Sequence, residues 1–396
     1  MAMPQSSLVD YYRELRFNPV PISLADKALW KLHVAKRRNL YERHLGIPIS
    51  LLRGRRIIEF GCNSGENALV LASIGADLTL VEPNKQVFPR LESYFKKFGF
   101  EKRISSLVNS DIAGFKSGNV YDMVIAEGFI NTLPDREEAI RKLCALTVKN
   151  GLIVVSHDDR YGHFMEMVRK FVFWIACRLE HVEDMYGARS LEIARRLHGS
   201  DFASINASRQ FESWWKDVLV NPFVSYDKFW TCSDVVSLFD GEGCEYYSGS
   251  PRWDSVDRFS WYKNIITTKE IHCRLLSDWM KVFSFFVTGI PPSEEAAYPA
   301  PKRTVDAASV MVKMMSEFCT PGGNSNRIAP YPTEIDKYFR NSSDERIIRF
   351  NHDMKSVWNA AAAGHLDIAV TKYRKAKYLR KMWGVASPYL CFRKAR

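Results

Sequence analysis

One short stretch of the chain, Arg56–Leu69, constrains the fold more than any other. It runs from an apolar pair through an acid to two glycines four residues apart, Gly61 and Gly65, and closes on residues that favour a helix. Glycine tolerates positive φ and lets a ligand approach the backbone, while the following helix points free N–H groups at the turn. The stretch therefore predicts a buried parallel strand that turns tightly into a helix, with a nucleotide-type site at the end of the strand.

The spacing of the glycines excludes two common nucleotide-binding loops. The dinucleotide fingerprint requires glycines at its first, third and sixth positions, but counting from Gly61 the third residue is Asn63 and the sixth is Glu66. A Walker loop requires the sequence Gly-Lys-Ser/Thr, and no Lys follows Gly65. What remains is the pattern acid-x-Gly-x-Asn-x-Gly, which begins at Glu59.

Strands and helices alternate through the region around this loop. Helices of this length between the strands predict a parallel sheet with right-handed crossovers. The first five predicted strands are Arg56–Phe60, Asp77–Val81, Ile104–Asn109, Tyr121–Ala126 and Leu152–Ser156. A sixth strand is predicted at Cys244–Ser248 and a seventh at Phe259–Thr267.

The loop and the ends of the next strands resemble the motifs of the class I S-adenosylmethionine-dependent methyltransferases. Asn63 stands where that family usually has its middle glycine, Glu82 follows the second predicted strand, and Asp111 follows the third. The resemblance spans about residues 55–156. It implies an α/β fold with a seven-stranded Rossmann-like sheet whose last strand is antiparallel, S-adenosylmethionine as cofactor, and an enzyme that transfers its methyl group.

The resemblance also implies roles for individual residues. Glu82 would accept both hydrogens of a ribose diol, which suits the paired oxygens of a carboxylate; an exposed Glu at a strand end is the alternative. Asp111 would accept the adenine amino group beside Ile112, with a helix N-cap as the alternative. Glu59 would lie near the aminoacyl end of the cofactor with Glu127 beside it, unless Glu127 faces the substrate. The predicted cofactor-binding residues are Glu59, Gly61, Asn63, Gly65, Glu82, Asp111, Ile112 and Glu127.

The candidate catalytic residues lie just after the fifth predicted strand, in segment 156–163, which holds two His and two Asp. Methyl transfer is an in-line displacement for which an enzyme supplies alignment, desolvation and, for a hydroxyl acceptor, a base. Because histidine exchanges protons near neutral pH, we predict His157 as the base, oriented by Asp158 or Asp159. A solvated loop with a capping Asp is the alternative. A divalent-metal site on the same loop is a weaker one, and we predict no metal.

The length of 396 residues exceeds that of one typical domain. We predict an N-terminal helical cap at 1–50, a methyltransferase domain at 51–270 with a helical insertion or lid at 157–225, and a helical C-terminal region at 271–396. For the cap, a helix packed on the sheet edge is the alternative. Within the insertion, Phe164–Arg196 is predicted as one long helix.

The net charge of +11 is concentrated at the C-terminal end. Residues 337–396 hold 14 Lys+Arg and 4 Asp+Glu, a net charge of +10, which leaves +1 for residues 1–336. Segment 372–383, here called the basic tail, interleaves bases with aromatic residues. RNA would suit this composition, as would an anionic membrane surface, and a packed helix with a solvated face is the alternative.

The remaining features of the composition bear on the cellular location and the acceptor of the protein. Eight cysteines without a Cys-x-x-Cys pair argue against a disulfide framework or zinc ribbon and favour a cytoplasmic location. We expect no signal peptide and no transmembrane segment. The preferred acceptor is a hydroxyl, or an amine, of a small molecule, specialised metabolite or sugar. An RNA methyltransferase that uses the basic tail and a non-catalytic cofactor-binding scaffold are the alternatives.

Overall fold

The computed structural model describes residues 7–15, 26–205, 209–253, 261, 263–292, 299–323 and 328–395. The strands are β1 (Arg56–Phe60), β2 (Asp77–Val81), β3 (Ile104–Val108), β4 (Tyr121–Glu127), β5 (Thr147–Ser156), β6 (Cys244–Ser250) and β7 (Tyr389–Lys394). The α-helices are α1 (Leu8–Glu14), α2 (Lys27–Asn39), α3 (Glu66–Ile74), α4 (Phe88–Phe98), α5 (Arg136–Leu146), α6 (Phe164–Leu179), α7 (Ala188–Ala203), α8 (Phe211–Trp214), α9 (Cys232–Gly241), α10 (Thr268–Thr288), α11 (Lys302–Phe318), α12 (Thr333–Arg340), α13 (Glu345–Ala362), α14 (Leu366–Lys375) and α15 (Lys377–Lys381).

Contacts within the chain define two compact units. The sheet unit comprises residues 2–157, 232–276 and 388–396, and the helical unit comprises residues 158–231 and 277–387. The chain leaves the sheet unit after β5 and returns to it twice, first for β6 and then for β7. In the described part of the chain, no helix is both long enough and apolar enough to cross a membrane.

The sheet unit contains one seven-stranded sheet in the order β3-β2-β1-β4-β5-β7-β6. Strands β1 to β5 run parallel, and β7 runs antiparallel to both of its neighbours. In β1 every residue after the first is buried, as expected for a central parallel strand that has helices on both faces. The predicted α/β class and the seven-stranded Rossmann-like sheet are confirmed.

The seventh strand comes from a different segment than the one predicted. The prediction was Phe259–Thr267, of which residues 259, 260 and 262 lie outside the described residues, while 263–267 form a turn and loop. Strand β7 lies instead at the C-terminal end, where its central residues Leu390, Cys391 and Phe392 are buried between β5 and β6. The prediction was wrong because short apolar runs do not reveal which of them pairs with a distant strand.

The helical unit combines the insertion after β5 with helices from the C-terminal region, and its central element is α6. Nearly every residue of α6 is buried, and α7, α11 and α14 pack against it. The prediction of one helix over Phe164–Arg196 was wrong. The helix ends at Leu179, His181 adopts a φ of 53°, and α7 begins only at Ala188, since Asp184 and Gly187 form a turn between them.

Backbones approach very closely where the C-terminal segment passes the loop after β5. The Asp159 N–H donates to the carbonyl of Ala386 at 2.9 Å. A Cβ added to Gly162 would collide with the carbonyl oxygen of Val385, and one added to Gly384 would lie 2.5 Å from the carbonyl oxygen of Gly162. Two glycines therefore allow this segment to lie against the loop before it enters β7.

Candidate active site

The glycine loop after β1 has the geometry that its sequence predicted. Gly61, Asn63 and Gly65 all have positive φ, at 68°, 46° and 83°. Asparagine is among the few residues other than glycine that adopt this conformation readily, so Asn63 fits the position of the family's middle glycine. A Cβ at Gly61 would also lie 2.7 Å from the ring of Phe129, a neighbour that the sequence did not predict.

Glu82 connects the end of β2 to the glycine loop. Its side chain is 6% exposed and accepts hydrogen bonds from the backbone N–H groups of Asn63, at 2.9 Å, and Asn84, at 2.8 Å. Burial raises the pKa of Glu82, while these two N–H groups lower it. Each carboxylate oxygen keeps a further lone pair, so the pair of oxygens can still accept the hydrogens of a diol.

Asp111 and Ile112 follow β3, near the end of β2. Ile112 is buried, whereas Asp111 is exposed and its Oδ1 accepts from the Gly114 N–H at 2.6 Å. Asp111 thus caps a turn, a structural role close to the predicted alternative, and its other oxygen has no such contact. The Asn109 amide donates to the carbonyl of Glu82 at 3.0 Å and so joins the two strand ends.

Glu127, the last residue of β4, is at the centre of a polar cluster. Its carboxylate accepts from both terminal nitrogens of Arg37, at 2.6 and 2.8 Å, from the Asn67 amide at 3.1 Å and from the Tyr389 hydroxyl at 3.1 Å. Arg37 also donates to the Tyr41 hydroxyl at 2.9 Å. The cluster fixes α2 to the sheet beside the glycine loop.

Sequence reasoning missed Arg37, Asn67 and Tyr389. One signal for Arg37 was present: His33 and Arg37 are spaced by four residues and so lie on one face of α2, and both are buried. No local signal identified Tyr389, because its position depends on β7, which was predicted elsewhere.

Several buried polar atoms near the loop have no hydrogen-bond partner among the described residues: Glu59 Oε2, Asn63 Oδ1, His33 Nε2 and Arg37 Nε. Glu59 is 3% exposed, and burial followed by the charge of Glu127 raises its pKa to about 8, against the opposing effect of Arg37. Burial and the nearby Arg37 lower the pKa of His33 to about 4. These atoms can hold a polar ligand without breaking any contact within the protein.

His157 directly follows Ser156, the last residue of β5. Ser156 is paired in register with Glu127 of β4 and with Tyr389 of β7, which places His157 at the carboxyl edge of the sheet. The His157 side chain is 0% exposed. Ligands bind at the carboxyl edge in sheets of this type, and the assignment of His157 as a base stays a prediction.

Asp158 forms an ion pair with a histidine that we did not single out. Its carboxylate lies 3.1 Å from Nε2 of His163, whose Nδ1 lies 3.0 Å from Glu166. Burial disfavours the charged imidazole, but Asp158 and Glu166 raise the pKa of His163 to about 10. Asp159 caps the loop by accepting from the Tyr161 and Gly162 N–H groups. The role of Asp158 in orienting His157 stays a prediction.

The residues described here include no group of three or more His, Cys, Asp or Glu placed to hold a metal ion.

The aromatic rings of the basic tail are packed within the helical unit. Tyr373 is buried, with its hydroxyl 3.2 Å from Nδ1 of His198, and the Trp383 ring lies 3.7 Å from the guanidinium of Arg169. These two rings are therefore not free to stack on bases.

The comparison with protein families matches residues 35–206 to the family described as a methyltransferase domain. This part of the chain is a methyltransferase domain. The match begins within α2 and continues past the glycine loop, Glu82, Asp111 and His157. The match agrees with the methyltransferase resemblance over this part of the chain.

Several solved structures resemble the chain at low sequence identity. The N-methyltransferase NodS from Bradyrhizobium japonicum WM9 is 19% identical, with 38% of this chain and 74% of that chain covered and a TM-score of 0.29. Magnesium protoporphyrin IX methyltransferase from Synechocystis PCC 6803 is 16% identical, with coverage of 38% and 69% and a TM-score of 0.29. The StiE O-MT structure is 16% identical, with 32% of this chain and 44% of that chain covered and a TM-score of 0.28.

The chain thus spans less than half of the StiE structure and 52% of a methyltransferase from Clostridium acetobutylicum. Likenesses at these TM-scores carry no argument about the acceptor. No curated protein matches the chain.

Proposed function

We propose that the methyltransferase transfers the methyl group of S-adenosylmethionine to a hydroxyl, or less favourably an amine, of a small molecule, specialised metabolite or sugar. The observation that carries the proposal is the position of His157. It is fully buried and follows Ser156, whose partners in register, Glu127 and Tyr389, belong to the polar cluster beside the glycine loop. A base at this position acts next to the cofactor loop and away from bulk water.

The charge of the loop region suits the cofactor, which supplies an electrophilic methyl group on a sulfonium and also carries an ammonium group. Acidic side chains outnumber cations around the loop, where they are Glu59, Glu66, Glu82 and Glu127. The charges of the other three glutamates raise the pKa of Glu59, and the charge of Glu127 raises the pKa of Arg37. A cation placed among them favours their ionised forms. In this proposal Glu59 faces the ammonium group, Glu82 the ribose diol, and Asp111 with Ile112 the adenine.

The remaining chemistry is positioning and proton transfer by residues of the chain. Gly61 and Gly65 give the loop its positive φ angles, and the space beside them is filled by Phe129 at Gly61 and by Leu91 and Phe95 at Gly65. His157 would accept the proton of the acceptor hydroxyl, and the bound cofactor would supply the methyl group, with the S–CH3 bond breaking and a neutral thioether as the leaving group. Alignment of the acceptor supplies much of the remaining rate enhancement.

The RNA alternative has less support than the small-molecule proposal. With Tyr373 buried and Trp383 under a guanidinium, binding through the basic tail would depend on exposed charges such as Lys375, Lys377 and Lys381. The acids Glu59 and Glu82 suit cofactor binding in the scaffold alternative as well, so turnover separates that alternative from the proposal. We also propose a cytoplasmic location, which suits eight free cysteine thiols.

The experiment is a turnover assay that measures S-adenosylhomocysteine formed with phenols, sugars, amines and RNA as acceptors. We expect turnover with a hydroxyl acceptor and a loss of roughly 100- to 10,000-fold in kcat for His157→Ala, with the affinity for S-adenosylhomocysteine retained. His352→Ala, at an exposed histidine of α13, is the matched control.

Turnover with RNA alone, lost when Lys375, Lys377 and Lys381 are changed to Glu, would favour the alternative instead. These substitutions replace truncation of the tail, since truncation would also remove β7 from the sheet. Full turnover by His157→Ala with a hydroxyl acceptor would overturn the assignment of the base.

A further inference from the structure

We propose that the exposed side of α14 and α15 binds an anionic membrane surface, that is, a bilayer that contains acidic phospholipids. These helices belong to the helical unit and share no residue with the proposed cofactor and acceptor site, so the proposal does not depend on the proposed function. The binding face is here called the basic surface. Its exposed members are Ile368, Thr371, Lys372, Arg374, Lys375, Lys377 and Lys381.

The packing of α14 decides which of its side chains face solvent. Its buried residues are Ala369, Val370 and Tyr373, and the helix packs against α6 and α13. Residues spaced by three or four positions lie on one face of a helix, and the exposed members with this spacing are Ile368, Thr371, Lys372 and Lys375. An apolar residue and two lysines therefore occupy one exposed face.

The positive charge of the basic surface is not neutralised within the described part of the protein. Segment 368–383 contains six Lys and Arg and no Asp or Glu. Arg380 pairs with Asp201, and the other five cations form no ion pair with a described residue. Two acids are close in the structure or the sequence: Asp353 accepts from the Tyr378 N–H at 3.0 Å, and Asp367 lies in the first turn of α14. Five cations against two acids leave a net positive surface.

The aromatic rings of the basic tail favour lipid headgroups over RNA as the partner. Tyr373 is buried, and a guanidinium lies over the rings of Tyr378 and Trp383, at 5.2 and 3.7 Å. Stacking of bases on aromatic rings is a main contact of single-stranded RNA. These rings would have to leave their present partners before they could stack on bases.

The kind of cation points to the same partner. Four of the five cations without an ion pair are lysines, and the fifth is Arg374. Lysine acts as a point charge, whereas the planar guanidinium of arginine is the group preferred in nucleic-acid recognition. A cluster of lysines suits the diffuse negative charge of a membrane leaflet.

Ile368 adds an apolar contact that a bilayer can accommodate. Its side chain is 42% exposed on the same face as Lys372 and Lys375. At a membrane, an apolar side chain enters the boundary between headgroups and acyl chains, while the long lysine side chains reach the phosphates. The phosphate backbone of RNA has no apolar layer for Ile368.

The number of cations sets the expected strength of binding. Each Lys or Arg close to an anionic leaflet raises the affinity roughly fivefold. Five such residues raise it on the order of a thousandfold over a neutral bilayer. Because this attraction is screened by salt, binding should weaken as the ionic strength increases.

The test is co-sedimentation of the full chain with vesicles of phosphatidylcholine alone and of phosphatidylcholine mixed with phosphatidylglycerol. We expect binding to the mixed vesicles only, with release at high salt. A triple variant with Lys375→Glu, Lys377→Glu and Lys381→Glu should bind at least roughly a hundredfold more weakly. The matched control makes the same three charge reversals at exposed lysines of the sheet unit, which are Lys97, Lys102 and Lys149, and should bind far better than the first variant.

A second variant tests the apolar contact. Ile368→Ser should weaken binding to the mixed vesicles by roughly threefold or more, since less apolar area enters the bilayer. Val310→Ser, at a residue of α11 that is 48% exposed, is its control. Thermal unfolding of every variant checks that the protein is folded, as expected for substitutions at exposed side chains.

Absence of wild-type binding to the mixed vesicles would overturn the proposal. Equal weakening by the two triple variants would also overturn it, because net charge alone would then explain the binding. If the protein binds an RNA oligonucleotide but not the mixed vesicles, and the triple variant of α14 and α15 loses that binding, the basic surface is an RNA site and the membrane proposal fails.

Discussion

At the scale of single residues, the protonation of Glu59 depends on its burial and on the charges beside it. Burial raises its pKa to about 8, the charges of Glu127, Glu66 and Glu82 act in the same direction, and Arg37 opposes them. Near neutral pH the empty site therefore holds a largely protonated carboxyl group. A ligand cation would favour the ionised form and lower this pKa.

This pKa predicts that ligand binding releases protons. Near neutral pH, binding of S-adenosylhomocysteine should release about one proton, measured by calorimetry in two buffers with different ionisation enthalpies. Affinity should rise with pH until pH reaches about 8, the pKa of Glu59, because fewer protons then have to be displaced. Glu59→Gln should abolish the release, and a wild-type heat that is independent of the buffer would contradict the prediction.

Residue roles differed in how far the sequence could predict them. The sequence could predict the residues that lie in a local turn next to a predicted strand. These are Glu59, Gly61, Gly65 and Glu82. The sequence could not predict the partners of Glu127, because they come from α2, α3 and β7. No short sequence pattern indicates that three distant segments meet.

At the scale of secondary-structure elements, α6 is organised by a charged group at its first turn. His163 immediately precedes α6 and lies between Asp158 and Glu166, with its ring stacked on Phe229 at 4.8 Å. Glu166 also accepts from the Trp214 indole at 3.1 Å. Burial opposes its charge, but His163 lowers the pKa of Glu166 to about 2.

We predict that His163→Leu lowers the free energy of unfolding by roughly 3–5 kcal/mol, because the buried Glu166 and the half-buried Asp158 lose their cation. His163 has a raised pKa, so its contribution is complete below its ordinary value of 6.5 and disappears as pH rises through about 10. Denaturant unfolding at several pH values should show the difference from wild type shrinking over that range. His352→Leu, at an exposed site, is the control, and a constant difference across the range would contradict the ion-pair account.

In the helical unit, the C-terminal segment passes close to the loop after β5, and this contact gives a second prediction. Gly162→Ala should destabilise the protein by about 1–3 kcal/mol, since the added methyl group meets the Val385 carbonyl and the backbone must move. Gly199→Ala is the matched control, because nothing lies within 4 Å of its added Cβ and alanine favours a helix. Thermal unfolding compares the two, and equal melting temperatures would contradict the tight passage.

Element prediction succeeded where strand and helix follow each other closely. Strands β1 to β4 were predicted to within one residue at each end, whereas β5 ends at Ser156 as predicted but begins at Thr147 instead of Leu152. β7 was missed because its neighbours β5 and β6 are more than a hundred residues away along the chain. The break after α6 depends on one left-handed residue, His181, a conformation that sequence rarely signals.

At the scale of the whole chain, the polypeptide alternates between two units. The methyltransferase domain match extends from α2 into the insertion, and the last residues of the chain supply an internal strand of the sheet. The positive charge of the C-terminal end thus lies in segments that build both units. Part of this charge forms ion pairs within the protein: Arg380, for example, pairs with Asp201 at 2.7 Å.

The central claim is that the loop Gly61–Gly65 with Glu82 binds the methyl-donor cofactor. Calorimetric titration of the full chain with S-adenosylhomocysteine tests it most directly, with Glu82→Ala compared with Glu92→Ala, an exposed glutamate of α4. The account predicts binding by the wild-type protein and by Glu92→Ala, and a loss of about 1–3 kcal/mol for Glu82→Ala through two lost hydrogen bonds. Absence of binding to the wild type, or unchanged affinity in Glu82→Ala, would contradict it.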